Sequence, residues 1–147
     1  MDMVYRSNDG SQQFNDIREL FKSETPLFVT APMINQSDLP FRVLTRRYNA
    51  NLTYTQMLKP NRLLYDQEYR EHHINNMNPQ YQVSTDWATA KDADLTLAKP
   101  VVAQVCGNDV QEIVEASKKI AGFCDAIGNQ QSFLHLQQVV DAEWQAR

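Results

Sequence analysis

Cysteine is scarce in this sequence, and its scarcity excludes two kinds of stabilising site. The two cysteines are Cys106 and Cys124, and no Cys-x-x-Cys pair or cluster of histidine and cysteine occurs. A disulfide framework and a structural zinc site both need more ligands at fixed spacing. His72 and His73 have no acidic or cysteine partner at ligand spacing, so we predict surface histidines. The sequence therefore predicts no metal centre and a reducing intracellular compartment.

An excess of basic residues and long apolar runs are also missing. Lysine and arginine number 14 against 18 aspartates and glutamates, which gives a net charge of -4. A free-standing nucleic-acid-binding protein usually shows a basic face, so the composition does not favour that class. No window has the roughly 20 apolar residues that a membrane helix needs. Residues 1–15 contain no apolar signal core. These absences predict one soluble domain of the cytoplasm or nucleus.

An apolar run followed by a polar turn marks the first strand–loop–helix unit. Leu27–Thr30 has the composition of a β-strand, and a loop beginning with Ala31-Pro32-Met33 follows it. Ser37 is a favourable N-cap residue, and Pro40 falls in the first turn of the next helix, where its missing N–H costs nothing. Because α/β proteins bind ligands in loops at the carboxyl ends of strands, we expect a ligand site in this loop.

Four other segments of the amino-terminal half have interpretable patterns. Residues 1–13 are polar, and we interpret them as a disordered leader. Helical spacing predicts a short helix that covers the bottom of a sheet, carried by Phe14, Ile17, Leu20 and Phe21. A second helix is predicted over Asp38–Tyr48, ended by Asn49 in a left-handed conformation. A second strand is predicted over Leu52–Leu58.

The stretch between the second and third strands has weaker patterns. Lys59–Asn61 is predicted as a turn, Arg62–Ile74 as a weak helix, and Asn75–Lys91 as a long loop rich in polar residues. A long loop without secondary structure in a compact domain is usually functional or mobile. We therefore expect this loop to be functional or mobile.

The clearest strand–helix–strand signal lies in the second half. Pro100–Cys106 is an almost continuous apolar run, as expected for a strand buried on both faces of a parallel sheet. Asp109 and Glu112 resemble a capping box, Gly122 is predicted to end the helix, and Phe123–Ile127 is the fourth strand. This alternation predicts an α/β fold with parallel strands. The predicted buried stripe of the helix consists of Val110, Ile113, Val114, Ser117, Ile120 and Ala121.

Four short motifs occur in an order and spacing shared by one enzyme family. They are Ala31-Pro32-Met33 with Ser37 and Phe41-Arg42, Tyr54-Thr55-Gln56-Met57-Leu58, Gln104-Val105-Cys106-Gly107-Asn108-Asp109, and Cys124-Asp125-Ala126-Ile127. Through them, the stretch from about Pro26 to Ile127 resembles the first half of the flavin-dependent tRNA-dihydrouridine synthases. It is most similar to the eukaryotic branch that acts on D-loop uridines. The resemblance implies FMN, NADPH as reductant, tRNA as partner, and the first four units of a TIM (β/α)₈ barrel.

The resemblance assigns flavin contacts to two places. Pro32, Met33 and Ile34 match the family's first flavin contacts, and Gln104 matches a glutamine that reaches the polar edge of the ring. From the residues alone, Pro32 and Met33 could instead pack the mouth of the sheet. An amide inside an apolar strand needs a partner, because leaving it unpaired costs roughly 1–3 kcal/mol. That requirement favours a ligand-binding role for Gln104.

The remaining candidate residues have plainer interpretations. We expect Cys106 to be a small buried hydrophobic residue, because its motif matches a position without a catalytic role in the family. We expect Cys124, which precedes Asp125 on the fourth strand, to be structural as well. We expect Arg42, Arg46 and Arg47 to be solvated or ion-paired on the surface of the first barrel helix.

After Ile127 the resemblance stops. The family continues into a loop that contains the cysteine that protonates uracil, whereas this chain has Gly128-Asn129-Gln130-Gln131-Ser132. The resemblance thus implies no catalytic residue in this chain, and neither the phosphate site nor the tRNA-gripping domain falls within it. We divide the chain into a leader and short helix (1–25), a truncated barrel domain (26–127) and an unrelated tail (128–147). Helical spacing in the tail is carried by Phe133, Leu136, Val140 and Trp144.

Three functions are compatible with these observations. The chain can be an inactive fragment of a dihydrouridine synthase. It can be a non-catalytic interaction protein that pairs the open strand edge of a half barrel with a partner or with itself. It can also be a small flavin-binding module with flavodoxin-like strand order.

Overall fold

The structure is a computed structural model that describes residues 17–22, 24, 26–78 and 95–130. Its helices are α1 (Ile17–Leu20), α2 (Leu39–Arg47), α3 (Pro60–Tyr65), α4 (Gln67–Met77) and α5 (Val110–Ile120), with a 3₁₀-helix over Leu95–Ala98. Its strands are β1 (Thr53–Leu58), β2 (Val101–Cys106) and β3 (Ala126–Gln130). Within these ranges no helix combines the length and the apolar character needed to cross a bilayer.

The three strands form one parallel sheet in the order β1–β2–β3. The predicted first strand is reduced to a single parallel bridge between Val29 and Leu52. The Thr30 N–H donates to the Leu52 carbonyl at 3.0 Å, whereas the Thr53 N–H points to the other side, toward Pro100. The bridged segment therefore extends the sheet beyond β1, on the side away from β2.

Strand order along the sheet follows chain order, as it does around a (β/α)₈ barrel. The α/β class and the parallel sheet are confirmed, with three strands and one bridged segment in the described residues. Flavodoxin-like wiring is contradicted, because that order places the first strand between the second and the third. Here the bridged Val29 segment comes first in the chain and lies at the edge of the sheet. β1, which comes second, lies between that segment and β2.

One face of the sheet packs against helices α3, α4 and α5. Leu58 of β1 and Val105 of β2 are register partners, and both are fully buried on this face. Burying a leucine or valine side chain stabilises the fold by roughly 1.5–3 kcal/mol, so this layer is the main core. Its members are Leu58, Leu63, Met77, Ala103, Val105, Ile113, Ala116 and Ile120.

The opposite face carries a smaller core at the amino ends of the strands. Leu20 of α1 is fully buried against Leu52 and Val102. Val102 alternates with Ala103 along β2, and successive side chains of a strand point to opposite faces. This packing confirms the predicted helix that covers the bottom of the sheet. Phe21 is exposed, and Phe14 lies outside the described residues.

The fourth strand begins three residues later than predicted. The segment from Phe123 to Asp125 forms a turn, because the Phe123 N–H donates to the Ile120 carbonyl at 3.0 Å. Asp125 then joins β2, accepting from the Val101 N–H at 2.8 Å through its carboxylate. Strand pairing runs on through Gly128 to Gln130, past the point where the resemblance stops.

The segment after β1 is more helical than predicted. Pro60 begins α3 directly, in place of the predicted turn, because proline suits the first helical turn. Asp66 starts a second helix, α4, by accepting from the Tyr69 N–H at 3.0 Å. Residues 75–77 belong to α4 and not to the predicted loop, whose remainder from 79 to 91 lies outside the described residues.

The residues that begin and end α2 and α5 agree only partly with the predictions. Asn49 has φ 70°, which confirms the left-handed stop. The Asp109 carboxylate accepts from the Glu112 N–H at 2.9 Å, which confirms the predicted cap. Asp38, and not Ser37, is the N-cap residue of α2. Gly122 lies in the turn after α5, whose C-cap residue is Ala121.

The buried stripe of α5 is narrower than predicted. Ile113 and Ile120 are buried, together with Ala116, which was not predicted. Val110 is 72% exposed and Val114 is 46% exposed. The sequence pattern therefore identified the apolar residues of α5 correctly. In the described residues only the side with Ile113, Ala116 and Ile120 is packed against other side chains.

Candidate functional site

The loop after Val29 is held in a defined shape by one buried side chain. The Ser37 hydroxyl accepts from the Met33 N–H at 2.8 Å and donates to the Ala31 carbonyl at 3.3 Å. Ser37 is only 2% exposed, so these bonds are protected from water. Asn35 completes the turn with φ 58°, a conformation that asparagine tolerates. Ser37 therefore shapes the loop, and this role explains why it does not cap the helix.

A second side chain ties the loop to the sheet. The Asn35 N–H donates to Oε1 of Gln56, in β1, at 2.8 Å. Gln56 lies near the carboxyl end of its strand, so the tether places the loop at that end. This is the edge at which α/β proteins bind ligands.

β1, the strand that contains Gln56, has a β-bulge at this residue. The pairing between β1 and β2 shifts between Tyr54 and Met57. The Thr55 hydroxyl fills the gap in the ladder, because it accepts from the Gln104 N–H at 3.0 Å. Bulges often occur beside functional sites, where they redirect a side chain. Sequence reasoning missed this bulge, since no glycine or proline marks it.

Gln104 lies on the sheet face that points away from the helices. Its neighbours Ala103 and Val105 belong to the helix-facing core, so alternation places Gln104 on the other face. The Oε1 atom of its side chain is buried. Met57 and Gly128 are its register partners on the two sides. The Gln104 amide therefore lies in the middle strand of the sheet, and its register partner Gly128 has no side chain.

The predicted flavin contacts are brought to one edge of the sheet. Pro32 and Met33 are half-buried, and Ile34 is 59% exposed. Their loop is tethered to Gln56, which precedes Met57, the register partner of Gln104. The loop and the Gln104 strand thus share the same end, separated by one strand. An apolar loop one strand away from a half-buried amide side chain can receive a flat, partly polar ring.

Arg42 of α2 lies directly behind this loop, which corrects the prediction of a surface side chain. Arg42 is fully buried, and its guanidinium donates to the carbonyls of Ser37, at 2.9 Å, and Asn76. Burial lowers the pKa of Arg42 to about 10, while the nearby Asp38 acts in the opposite direction. Arg42 thus remains charged at neutral pH and fixes the end of the loop to the last turn of α4.

Arg46, also predicted on the surface, performs a similar task at the other end of α2. It is 1% exposed, and its Nη1 atom donates to the carbonyls of Ala50 at 2.8 Å and Asn51 at 2.7 Å. Burial lowers its pKa. The neighbouring Arg47 is exposed, as predicted. The three arginines look alike in the sequence, and only their positions around the helix separate two buried roles from one surface role.

His73 is also buried, which contradicts the prediction of two surface histidines. It is 4% exposed and contacts the Tyr69 and His72 rings edge-on, with ring centroids 4.3 and 5.0 Å away. Burial, followed by the charges of His72 and Arg62, lowers the pKa of His73 to about 4. His72 itself is exposed, as predicted. At neutral pH His73 is therefore a neutral packing residue of α4.

Metal-binding and thiol chemistry have little support in the described part of the chain. No group of three histidine, cysteine or acidic side chains is arranged there to hold a metal ion. Cys106 and Cys124 are both free thiols and half-buried. Burial raises the pKa of the Cys124 thiol, which donates to the Ile120 carbonyl at a sulfur–oxygen distance of 3.6 Å. A raised pKa keeps Cys124 protonated and unreactive at neutral pH.

Known proteins match the stretch that contains this site. The model of the dihydrouridine synthase (Dus) family matches residues 29–128. The tRNA-dihydrouridine(16/17) synthase (NAD(P)(+)) of Saccharomyces cerevisiae is 33% identical over 111 residues, which is 75% of this chain and 23% of that protein. The Rattus norvegicus tRNA-dihydrouridine(16/17) synthase (NAD(P)(+))-like protein is 32% identical over 99 residues, which is 67% of this chain and 19% of that protein.

A third relative extends the match to another branch. The tRNA-dihydrouridine(20a/20b) synthase (NAD(P)+) of Saccharomyces cerevisiae is 25% identical over 103 residues. No solved structure matches the chain at a significant level. The chain spans about a quarter or less of the length of the curated relatives described above. The family model nevertheless covers the bridged first segment, β1, β2 and the start of β3. The chain therefore belongs to the dihydrouridine synthase family.

Proposed function

We propose that this chain forms one side of the FMN site of a tRNA-dihydrouridine synthase that uses NAD(P)H and acts on D-loop uridines. The observation that carries the proposal is the tether between Asn35 and Gln56, at 2.8 Å. It holds the Pro32–Ile34 loop at the strand end where the Oε1 atom of Gln104 is buried. The names of the relatives support tRNA as substrate and NAD(P) as the nicotinamide cofactor.

The residues present fit one edge of a flavin ring. Pro32, Met33 and Ile34 offer an apolar surface that excludes water, and the Gln104 amide can orient the polar edge of the ring by hydrogen bonding. Gly128, the register partner of Gln104, adds no side chain to this face of the sheet. When bound, FMN supplies hydride transfer to the uracil ring. In a barrel, the loops after strands seven and eight commonly hold the cofactor phosphate, and the described residues contain no counterpart of them.

The flavin contacts can be tested with a single substitution. We expect Gln104→Leu to weaken FMN binding roughly tenfold, because the variant keeps the volume of the side chain but loses its hydrogen bonds to the ring. Quenching of FMN fluorescence on titration with protein measures the affinity. Gln67→Leu, on the exposed surface of α4, is the matched control and should bind as the parent does. Equal affinity of Gln104→Leu and the parent would remove Gln104 from the site.

We further propose that the chain by itself does not reduce uridine. The segment Gly128-Asn129-Gln130-Gln131-Ser132 has no cysteine to protonate the uracil ring. Incubation with unmodified tRNA, FMN and NADPH, followed by nucleoside analysis, should detect no dihydrouridine above a protein-free control. Measurable dihydrouridine formation would contradict this part of the proposal and would leave the FMN-binding part intact.

One observation favours a second function, that of an interaction protein. The bridged segment exposes Phe28 and Val29, which together with Leu44 and Tyr48 line a cavity of about 310 Å³. Within the described residues no strand pairs with the outer side of this segment. An exposed apolar strand edge can pair with a second chain. Light scattering decides this alternative, because a monomer across the accessible concentration range argues against edge pairing.

A further inference from the structure

One side chain of β1 bonds to both parts of the proposed flavin site. The Thr55 hydroxyl accepts from the Gln104 N–H at 3.0 Å and donates to the Gln56 carbonyl at 2.8 Å. Gln56 in turn holds the Pro32–Ile34 loop, because its side chain accepts from the Asn35 N–H. Thr55 is 4% exposed, so its bonds are largely protected from water. The strand of Gln104 and the anchor of the loop therefore meet at this hydroxyl.

A bulge reverses the alternation of β1 after Tyr54. From Tyr54 to Met57 the register advances by three residues in β1 but by only two in β2. Tyr54 packs on the face away from α3, α4 and α5, whereas Leu58 belongs to the core beneath these helices. In an unbroken strand, residues four apart point to the same face. The extra residue therefore sends Leu58 into the core and turns Met57 to the face of Gln104.

The Thr55 hydroxyl stabilises this irregular pairing. A backbone N–H inside a sheet normally donates to a carbonyl of the neighbouring strand. At the bulge, the Gln104 N–H donates to the Thr55 hydroxyl instead. The same oxygen atom donates its proton to the Gln56 carbonyl, which fixes the backbone of the residue that anchors the loop. Loss of the hydroxyl would therefore release the backbone of Gln56 and that of Gln104 together.

Thr53, two residues earlier in β1, provides a comparison within the same strand. It is fully buried, and its hydroxyl donates to the Pro100 carbonyl at 3.3 Å. Thr53 pairs regularly with Val101, at the amino ends of the strands and away from the Pro32–Ile34 loop. The two threonines have the same side chain and similar burial, but only Thr55 bonds to the segments of the site.

We propose that Thr55 is a positioning residue of the flavin site, which holds the Gln104 side chain and the Pro32–Ile34 loop at matching heights. The inference rests on the proposed function, because the flavin ring is the group that both parts would contact. Since the Thr55 hydroxyl bonds within the strand pair, it acts through Gln104 and Gln56. Its loss should separate the two parts without unfolding the sheet, because the regular pairs between β1 and β2 remain.

Substitution of Thr55 tests the proposal by titration with FMN. Thr55→Val removes the hydroxyl and keeps the branched shape, and we expect it to weaken FMN binding roughly tenfold. Thr55→Ser keeps the hydroxyl and should bind within about twofold of the parent. Thr53→Val is the matched control, since it removes a buried hydroxyl from the same strand and should leave the affinity unchanged. Parent-like affinity of Thr55→Val would overturn the proposal, as would equal losses in Thr55→Val and Thr55→Ser.

A double variant tests whether Thr55 acts through Gln104. Residues that act through one another have non-additive effects. Thr55→Val should therefore weaken FMN binding less in the Gln104→Leu background than in the parent. An undiminished effect in that background would show that Thr55 does not position Gln104.

Amide hydrogen exchange tests the same coupling in the absence of flavin. Measured by NMR on the protein alone, exchange of the Gln104 N–H should accelerate at least about tenfold in Thr55→Val, and exchange of the Asn35 N–H about threefold. The Ile113 N–H, which donates to the Asp109 carbonyl in α5, is the internal reference for a general loss of stability. Thr55→Ala removes the hydroxyl with less bulk and takes the place of Thr55→Val if that variant misfolds.

The outcomes separate this inference from the proposed function. Thr53→Val should leave the exchange of Asn35 unchanged relative to the reference amide. An unchanged Asn35 rate in the hydroxyl-free variants of Thr55 would overturn the coupling even where the parent binds FMN. Failure of the parent to bind FMN would contradict the proposed function and the flavin role of Thr55. The exchange rates would then still decide whether Thr55 holds the two segments together.

Discussion

Replacing Arg42 by alanine is expected to lower the free energy of unfolding by about 3–5 kcal/mol. The guanidinium is fully buried and donates to the carbonyls of Ser37 and Asn76. Hydrogen bonds from charged donors contribute roughly 1.5–3 kcal/mol each, and their removal leaves two carbonyl groups without this donor. The Asn76 carbonyl belongs to the last turn of α4, where carbonyls lack intrahelical partners and favour a positive charge.

Urea unfolding followed by circular dichroism measures the loss. Arg47→Ala is the matched control, because it removes the same side chain from the exposed side of the same helix. We expect that variant to change stability by no more than about 0.5 kcal/mol. A similar small change in Arg42→Ala would show that the buried guanidinium adds nothing beyond the cost of its own desolvation.

Acidification is expected to destabilise the chain through His73, by up to about 3 kcal/mol between pH 6.5 and pH 4. Burial holds the pKa of the folded side chain at about 4, whereas an unfolded histidine titrates near 6.5. Within this window the unfolded chain binds more protons than the folded chain, so the free energy of unfolding falls as the pH falls. The contribution of His73 is fully present above pH 6.5 and is lost progressively as the pH drops to 4.

The effect of His73 can be separated from that of the carboxylates by a matched pair of variants. His73→Phe keeps an aromatic ring against Tyr69 but does not titrate, so its stability should fall less steeply between pH 6.5 and 4. His72→Phe changes an exposed ring on the same helix and should keep the slope of the parent. Equal slopes in the parent and His73→Phe would mean that His73 becomes solvated before it is protonated.

Much of the fold was predictable because its signals are local. The apolar run of β2 predicts a strand buried on both faces whatever surrounds it, and the structure buries Val101, Val102, Ala103 and Val105. The cap of α5 is equally local, since the Asp109 carboxylate meets the Glu112 N–H within one turn. The left-handed Asn49 follows from the backbone preferences of asparagine.

The candidate site was predictable in part. The resemblance named Pro32, Met33, Ile34 and Gln104, and the structure brings their segments to the same strand ends. It could not name Gln56 or Thr55 as the side chains that join those segments. Their bonds reach Asn35 and Gln104, 21 and 49 residues away, and depend on a register shift that no local pattern indicates.

The sequence by itself determined the family and the parallel α/β class, because each rests on short-range periodicity or on motifs. The order of the strands, which the sequence left open between a barrel and flavodoxin-like wiring, needed the tertiary structure. Only the tertiary structure decided which polar side chains are buried. Arg42 and Arg47 both belong to α2, yet Arg42 binds the last turn of α4 and Arg47 is exposed. His72 and His73 are adjacent, yet only one lies against the core. Burial is a property of what packs against a residue, and those partners come from distant parts of the chain.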